Sequence, residues 1–151
     1  MADPHPDLPA GVRLLVDRLA ISDLLQRYAR AVDDRDAEAL TDCFADGATV
    51  LSSRGGLLQG REFATATFAA IADWPITQHF MTGELVSFDA DGVHASGGVY
   101  CLAVQSRPGS PDARAAHGLR YDDEYVRTAD GWRIEQRAVR LLWQAETGRA
   151  G

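Results

Sequence analysis

The chain has 151 residues, 46% of them hydrophobic and 25% charged, with a net charge of −7, which predicts one soluble domain able to bury a core. That acidity, with a pI of about 4.9, excludes the dense basic patch that a nucleic-acid surface needs. No stretch of ~18 apolar residues suits a membrane span, and Met1 to Pro9 is polar, holds three prolines and lacks the apolar core of a signal segment, so the expected compartment is the cytoplasm.

Residues 1–10 read as a loose lead-in. From Val12 the pattern turns helical: Ile21, Leu24, Leu25, Tyr28 and Val32 recur at three- and four-residue steps as one apolar stripe. Asp33-Asp34-Arg35 should stop that helix, because short polar side chains compete for the backbone. A shorter helix follows, with Asp36 as its cap, Leu40 and Phe44 as an i,i+4 pair, and Gly47 at its left-handed exit. Residues 48–53 read as a short strand ended by Gly55-Gly56, with Leu57-Leu58-Gln59 returning. A third helix, Arg61 to Ala72, stops before Pro75.

The rest is strand-like. Residues 78–88 lead to the turn Asp89-Ala90-Asp91-Gly92. Residues 93–105 alternate, with Gly97-Gly98 marking a bulge or bend. A loop over 107–111 precedes a strand at 115–127, and Asp130-Gly131 turns the chain into a last strand, Trp132–Trp143. Residues 145–151 read as a loose end. Helices first, then long antiparallel strands, predict an α+β fold: a curved, mainly antiparallel sheet wrapping three helices around a pocket. Cys43 and Cys101 have no CxxC spacing, so they read as small buried hydrophobes, with neither a zinc site nor a redox pair expected.

His79 lies in the apolar-rich run Thr77-Gln78-His79-Phe80-Met81, where an imidazole can both take and return a proton; the alternative is a hydrogen-bonded core histidine. Asp33, one step past the stripe, can point into a pocket and fix that imidazole's tautomer, or sit at the surface like Asp34. Tyr28 is on the stripe, either as plain core or as a phenol for a substrate oxygen. Trp132 and Ile134 share one parity, while Arg137, Val139, Leu141 and Trp143 share the other. A switch of buried face between Ile134 and Val139 would therefore bring Arg137 to the cavity, where a guanidinium steadies an anion; the alternative is a rim pair with Glu135 or Glu124. Alternation sends Asp122 and Glu124 to one face and Asp123 to the other, so one face either carries acids into the pocket or is simply solvated. His94 and His117 sit beside turns or loops and are expected to be exposed. No nucleophile elbow, GxGxxG or P-loop occurs, so no cofactor is expected.

The segments Ile21 to Phe44, Thr77–Phe80 and Tyr125–Arg137 together resemble the SnoaL-like branch of the nuclear-transport-factor-2-like superfamily. The resemblance spans about Val16 to Trp143. It implies a cone of three helices in the concavity of a curved sheet, and a homodimer or homotrimer. The pattern looks like that of scytalone dehydratase, hexachlorocyclohexane dehydrochlorinase and bile-acid 7α-dehydratase, which use a His–Asp pair for cofactor-free elimination. By that resemblance Asp33, His79, Arg137 and Tyr28 occupy catalytic positions. Val32 stands where scytalone dehydratase has a tyrosine, and the second histidine of that enzyme, in the strand after the tQHF-like one, has no counterpart. The expected pocket lining is Leu24, Phe63, Phe68, Trp74, Met81 and Tyr100, with Asp122, which suits a small, apolar, cyclic ligand. The expected reaction is proton abstraction with elimination. A cyclase or isomerase on the same site, a non-catalytic ligand-binding or dimerisation module, and a subunit supporting an oxygenase are the alternatives.

Overall fold

The computed structural model describes residues 7–147. Helix α1 (Ala10–Asp33) buries Ile21, Leu24, Leu25, Tyr28 and Val32 as one stripe, as the spacing predicts. Helix α2 (Ala37–Asp42) is capped by Asp36, whose carboxylate accepts the Ala39 N–H at 2.9 Å. It ends earlier than expected. Phe44 already belongs to β1 (Phe44–Leu51) and pairs with Ile134, while the Cys43 carbonyl accepts the Ile134 N–H. The last strand thus captures the chain before another helical turn forms, and Gly47, with φ +75°, serves an irregularity inside β1 rather than a helix exit. Strand β2 (Leu57–Gln59) returns antiparallel to β1. Helix α3 (Gly60–Ala70) opens with a capping box between Gln59 and Glu62.

Strands β3 (Ile76–Phe88), β4 (His94–Arg107), β5 (Ser110–Thr128) and β6 (Gly131–Thr147) complete a six-stranded sheet in the order β2-β1-β6-β5-β4-β3. All neighbours are antiparallel except β1 and β6. Two ends differ from expectation. The loop at 107–111 shrinks to a tight turn, with β5 starting at Ser110, and β6 runs past Trp143 to Thr147, paired with Arg114. Residues 145–147, expected to be loose, are therefore in the sheet; residues 1–6 and 148–151 lie outside the described residues. No described helix is long and apolar enough to cross a membrane.

Extra residues in single strands bend the sheet. The register slips between Thr82 and Leu85 of β3, where Gly83 adopts φ +63°. The bulge expected at Gly97-Gly98 is thus on the partner strand. Gly97 answers to a different demand, since a Cβ there would lie 2.4 Å from the Leu85 carbonyl oxygen. Strand β6 slips twice, leaving Glu135 and Leu142 without opposite numbers on β5. The first slip is the predicted change of face: Trp132 and Ile134 are buried before it, and Arg137 is buried after it. The core lies between the inward face of this sheet and the helices, built on Ile21, Leu24, Val32, Phe44, Val99 and Ile134. Cys43 and Cys101 are both buried and unbonded to each other.

Candidate active site

The end of α1 and the start of β3 meet at Asp33 and His79. Asp33 Oδ1 accepts from His79 Nδ1 at 2.6 Å and from the Thr77 hydroxyl at 3.0 Å; its Oδ2 accepts the His79 backbone N–H at 3.0 Å. A carboxylate is an acceptor only, so Nδ1 carries a proton, and in the neutral imidazole the lone pair is on Nε2. That is the tautomer a general base needs. Burial pushes the Asp33 carboxyl up, but the hydrogen bonds from His79 and Thr77 outweigh it and hold the carboxyl below its ordinary value. Asp33 is therefore a charged orienting group, in the His–Asp arrangement the sequence suggested.

Arg35 holds this junction, and sequence reasoning passed over it as a helix stop. It has φ +56°, unusual for a residue with a Cβ. In that conformation its guanidinium donates to the Asp33 carbonyl at 2.6 Å, to the Thr77 hydroxyl at 2.8 Å and to the Trp74 carbonyl. One side chain thus ties the end of α1 to the segment between α3 and β3. No hydropathy signal marks such a residue; its position just after the helix is the only hint.

His79 opens onto a cavity of about 400 Å³, within the size range of small-molecule sites. Phe63, Ile71, Trp74 and Tyr28 form its helix side; Ala103, Gln105, His117 and Gln144 form its sheet side. Of the expected lining residues, Phe63 and Trp74 are present, and Tyr28, expected in a catalytic position, lines the cavity beside them. Leu24 is fully buried in the core and Met81 packs against that core beside His79, so neither reaches the void. Phe68 likewise packs against the core, and its neighbours Thr67 and Ala70 line the cavity instead. Tyr100, 48% exposed between buried Val99 and Cys101, points from the opposite face. Asp122 is also on that outer face, paired with Arg120 at 2.9 Å and with Arg140. The alternation over Asp122, Asp123 and Glu124 was right in phase, but the inward member is Asp123.

Arg137 and Asp123 are opposite each other on β6 and β5, and neither side chain is exposed. The guanidinium donates from Nε to Asp123 Oδ1 at 2.7 Å and from Nη2 to Oδ2 at 2.6 Å, while the Tyr125 hydroxyl donates to Oδ2 at 3.0 Å. The rings of Tyr28 and Tyr121 each lie 4.2 Å from the guanidinium carbon. Arg137 is thus neither a rim pair nor part of the lining of the His79 cavity; it is a buried cation behind two tyrosines that do line that cavity. Burial opposes its charge, but Asp123 keeps it firmly protonated. Burial also raises the Tyr28 hydroxyl above its ordinary value, against the opposing pull of Arg137, so Tyr28 remains a neutral donor.

His117 was expected to be exposed and is not. It sits within β5, half-buried, and faces the cavity. Burial lowers its pKa; Glu146 opposes this, while His79 and Arg54 reinforce it. A larger depression of about 510 Å³ lies at the outer face around Ser96, Asp122 and Glu124. It contains no imidazole, and the proton-transfer groups are all on the other side of the sheet. Among the described residues no three His, Cys, Asp or Glu side chains converge as a metal site would require.

Comparisons with known proteins agree with this fold. The protein Rv2910c of Mycobacterium tuberculosis (strain ATCC 25618 / H37Rv) is 32% identical over 136 residues, covering 89% of this chain and 91% of its own. The crystal structure of the Kfla4162 protein from Kribbella flavida superposes with a TM-score of 0.76 at 25% identity, over 87% of this chain and 95% of that one. The hexachlorocyclohexane dehydrochlorinase LinA-type3 from Novosphingobium barchaimii LL02 does so with a TM-score of 0.77 at 20% identity, over 93% and 97%, a likeness of fold. The model of the SnoaL-like domain matches residues 13–138, and with the curved sheet and three helices in place, the chain belongs to the SnoaL-like family of the nuclear-transport-factor-2-like superfamily.

Proposed function

We propose that this protein is a cofactor-independent acid–base enzyme that eliminates a leaving group, such as water, from a small, largely apolar cyclic substrate. One observation carries the reading: the imidazole whose Nδ1 is held at 2.6 Å by Asp33 also lines the 400 Å³ cavity. His79 Nε2 takes a proton from carbon, the C–H electron pair becomes the new double bond, and the group on the neighbouring carbon leaves with its own pair. Asp33 stabilises the imidazolium that forms. Tyr28 donates its hydroxyl to a substrate oxygen, and Arg137 behind it favours negative charge on that side. The dehydrochlorinase of the same fold is an eliminating enzyme by its name, which supports the class and not the substrate. Cyclisation or isomerisation would begin with the same proton removal and differ in product.

The test is hydrogen exchange. The wild type should exchange the α-hydrogens of an apolar cyclic ketone, 2-indanone, in heavy water. His79→Gln should abolish the exchange while leaving the melting temperature within a few degrees. Exchange unaffected by that change, or a large loss of stability with no exchange in the wild type, would assign His79 to the core instead.

We also propose that the protein self-associates through the outer face of the sheet. Phe80, Leu102 and Trp143 stand in one cross-strand row there, 51%, 38% and 51% exposed, with Trp143 lying over Gly118.

A further inference from the structure

The cavity contains a second imidazole that neither the motifs nor the comparisons assign. His79 pairs with Ala103, Ala103 with His117, and His117 with Gln144, so the four form one row across β3, β4, β5 and β6. All four line the cavity. Neighbouring strands are about 4.8 Å apart, which puts the two histidine backbones about 10 Å apart. The residue between them is an alanine that lines the cavity, and its single methyl group fills little of the space between the two imidazoles. Side chains in strands stand roughly perpendicular to the sheet, so the rings keep about the spacing of their backbones, and contacts of ~3 Å to each leave roughly 4 Å, enough for one carbon and an adjacent carbonyl on a single ring edge.

We propose that His117 is a catalytic residue: its N–H binds the substrate's carbonyl oxygen and holds the negative charge that develops there as His79 removes the adjacent proton. The inference rests on the His79 reading above and adds a substrate class, a cyclic ketone or its enol. In the step, the α C–H bond breaks and its proton goes to His79 Nε2. The electron pair forms the carbon–carbon double bond of the enolate, and the carbonyl pair moves to oxygen, opposite the His117 N–H. Nothing is oxidised or reduced. A neutral imidazole suits this task, since it donates a hydrogen bond without adding a second cation beside His79. The groups facing His117 are Glu146 and its cross-strand partner Gln144 on β6, Arg54 beyond β1, and His79 on β3. Burial, with lesser help from His79 and Arg54, holds its pKa below the ordinary value against the pull of Glu146.

Two measurements test this. The first is the exchange of 2-indanone by the wild type, His117→Gln and His117→Asn; either variant should lower the rate by ~10²–10³-fold, with an unchanged melting temperature for at least one of them. The second is a titration of the wild type with 2-naphthol, whose phenol oxygen imitates an enolate, read on the His117 imidazole resonances. Those resonances should move. Exchange by both variants within threefold of the wild type, or His117 resonances unmoved by 2-naphthol, overturns the proposal. Absence of exchange in the wild type would instead remove the His79 reading. The titration then decides His117 by itself: movement supports an oxygen-binding role and stillness refutes it.

Discussion

Replacing Arg137 with methionine isolates one buried charge. The substitution keeps most of the aliphatic stem but removes the guanidinium that lies over the rings of Tyr28 and Tyr121. Asp123 then loses donors at 2.7 and 2.6 Å and retains only the Tyr125 hydroxyl at 3.0 Å, at a site with no exposure. Breaking a buried pair from one side costs about 3–5 kcal/mol, most of it from the charge left behind. Two contacts at 4.2 Å to the tyrosine rings are lost as well. For a chain of this size, ~2–4 °C per kcal/mol gives a fall in melting temperature of roughly 6–20 °C. Asp123→Asn should also destabilise, and the double variant should be less unstable than the sum of the two by about 0.5–3 kcal/mol. Urea denaturation of all four proteins measures this cycle. A single Arg137→Met variant within about 1 kcal/mol of the wild type would refute the reasoning, because it would mean that Asp123 is not left as an uncompensated buried carboxylate.

Other outcomes follow from the same geometry. Asp33→Asn should lower 2-indanone exchange by ~10²–10⁴-fold, because the amide no longer enforces the Nδ1–H tautomer; its circular dichroism should be unchanged. Arg35→Gly relieves the left-handed backbone yet removes three hydrogen bonds, so a net loss of about 1–3 kcal/mol in urea denaturation is expected. Acidification should destabilise the fold in two windows. The folded pKa of His117 lies below its ordinary 6.5, so the unfolded chain binds that proton first and stability falls as pH drops from 6.5; His117→Gln should flatten this slope. Asp33, lowered from 3.8, contributes stability fully above that value and loses it as pH falls through the folded one; Asp33→Asn should remove that dependence. Phe80→Glu with Leu102→Glu should halve or further reduce the mass seen by light scattering if the outer face joins copies.

The elements readable in the sequence were those whose signal is local. The stripe of α1 is a matter of spacing, and it delivered Tyr28, Val32 and Asp33 to the right face. The parity break between Ile134 and Val139 announced the bulge at Glu135 and with it the burial of Arg137. Misplaced residues depend on something spacing does not contain. Tyr100 and Asp122 were assigned the wrong face because alternation gives phase but not which phase is inward. Met81 and Phe68 were assigned inward correctly, yet whether an inward side chain meets a void or another side chain is decided by distant partners. His117 was expected to be exposed because it stood near the start of the expected strand at 115–127, beside a loop; the tight turn after Arg107, and hence the early start of β5, left no clear mark in the sequence.

The unpaired Leu142 has a consequence for how this cavity could change. Leu141 faces inward before it, and Gln144 and Glu146 face inward after it. Were Leu142 to take the place opposite Gly118, with the bulge lost and no residue removed, the last stretch of β6 would turn over, exchanging its polar inward groups for their neighbours, while leaving Asp33, His79 and Arg137 where they stand. The end of the site that selects a ligand is therefore geared separately from the end that moves the proton, and relatives could acquire new substrates by one-residue slips at the strand's margin.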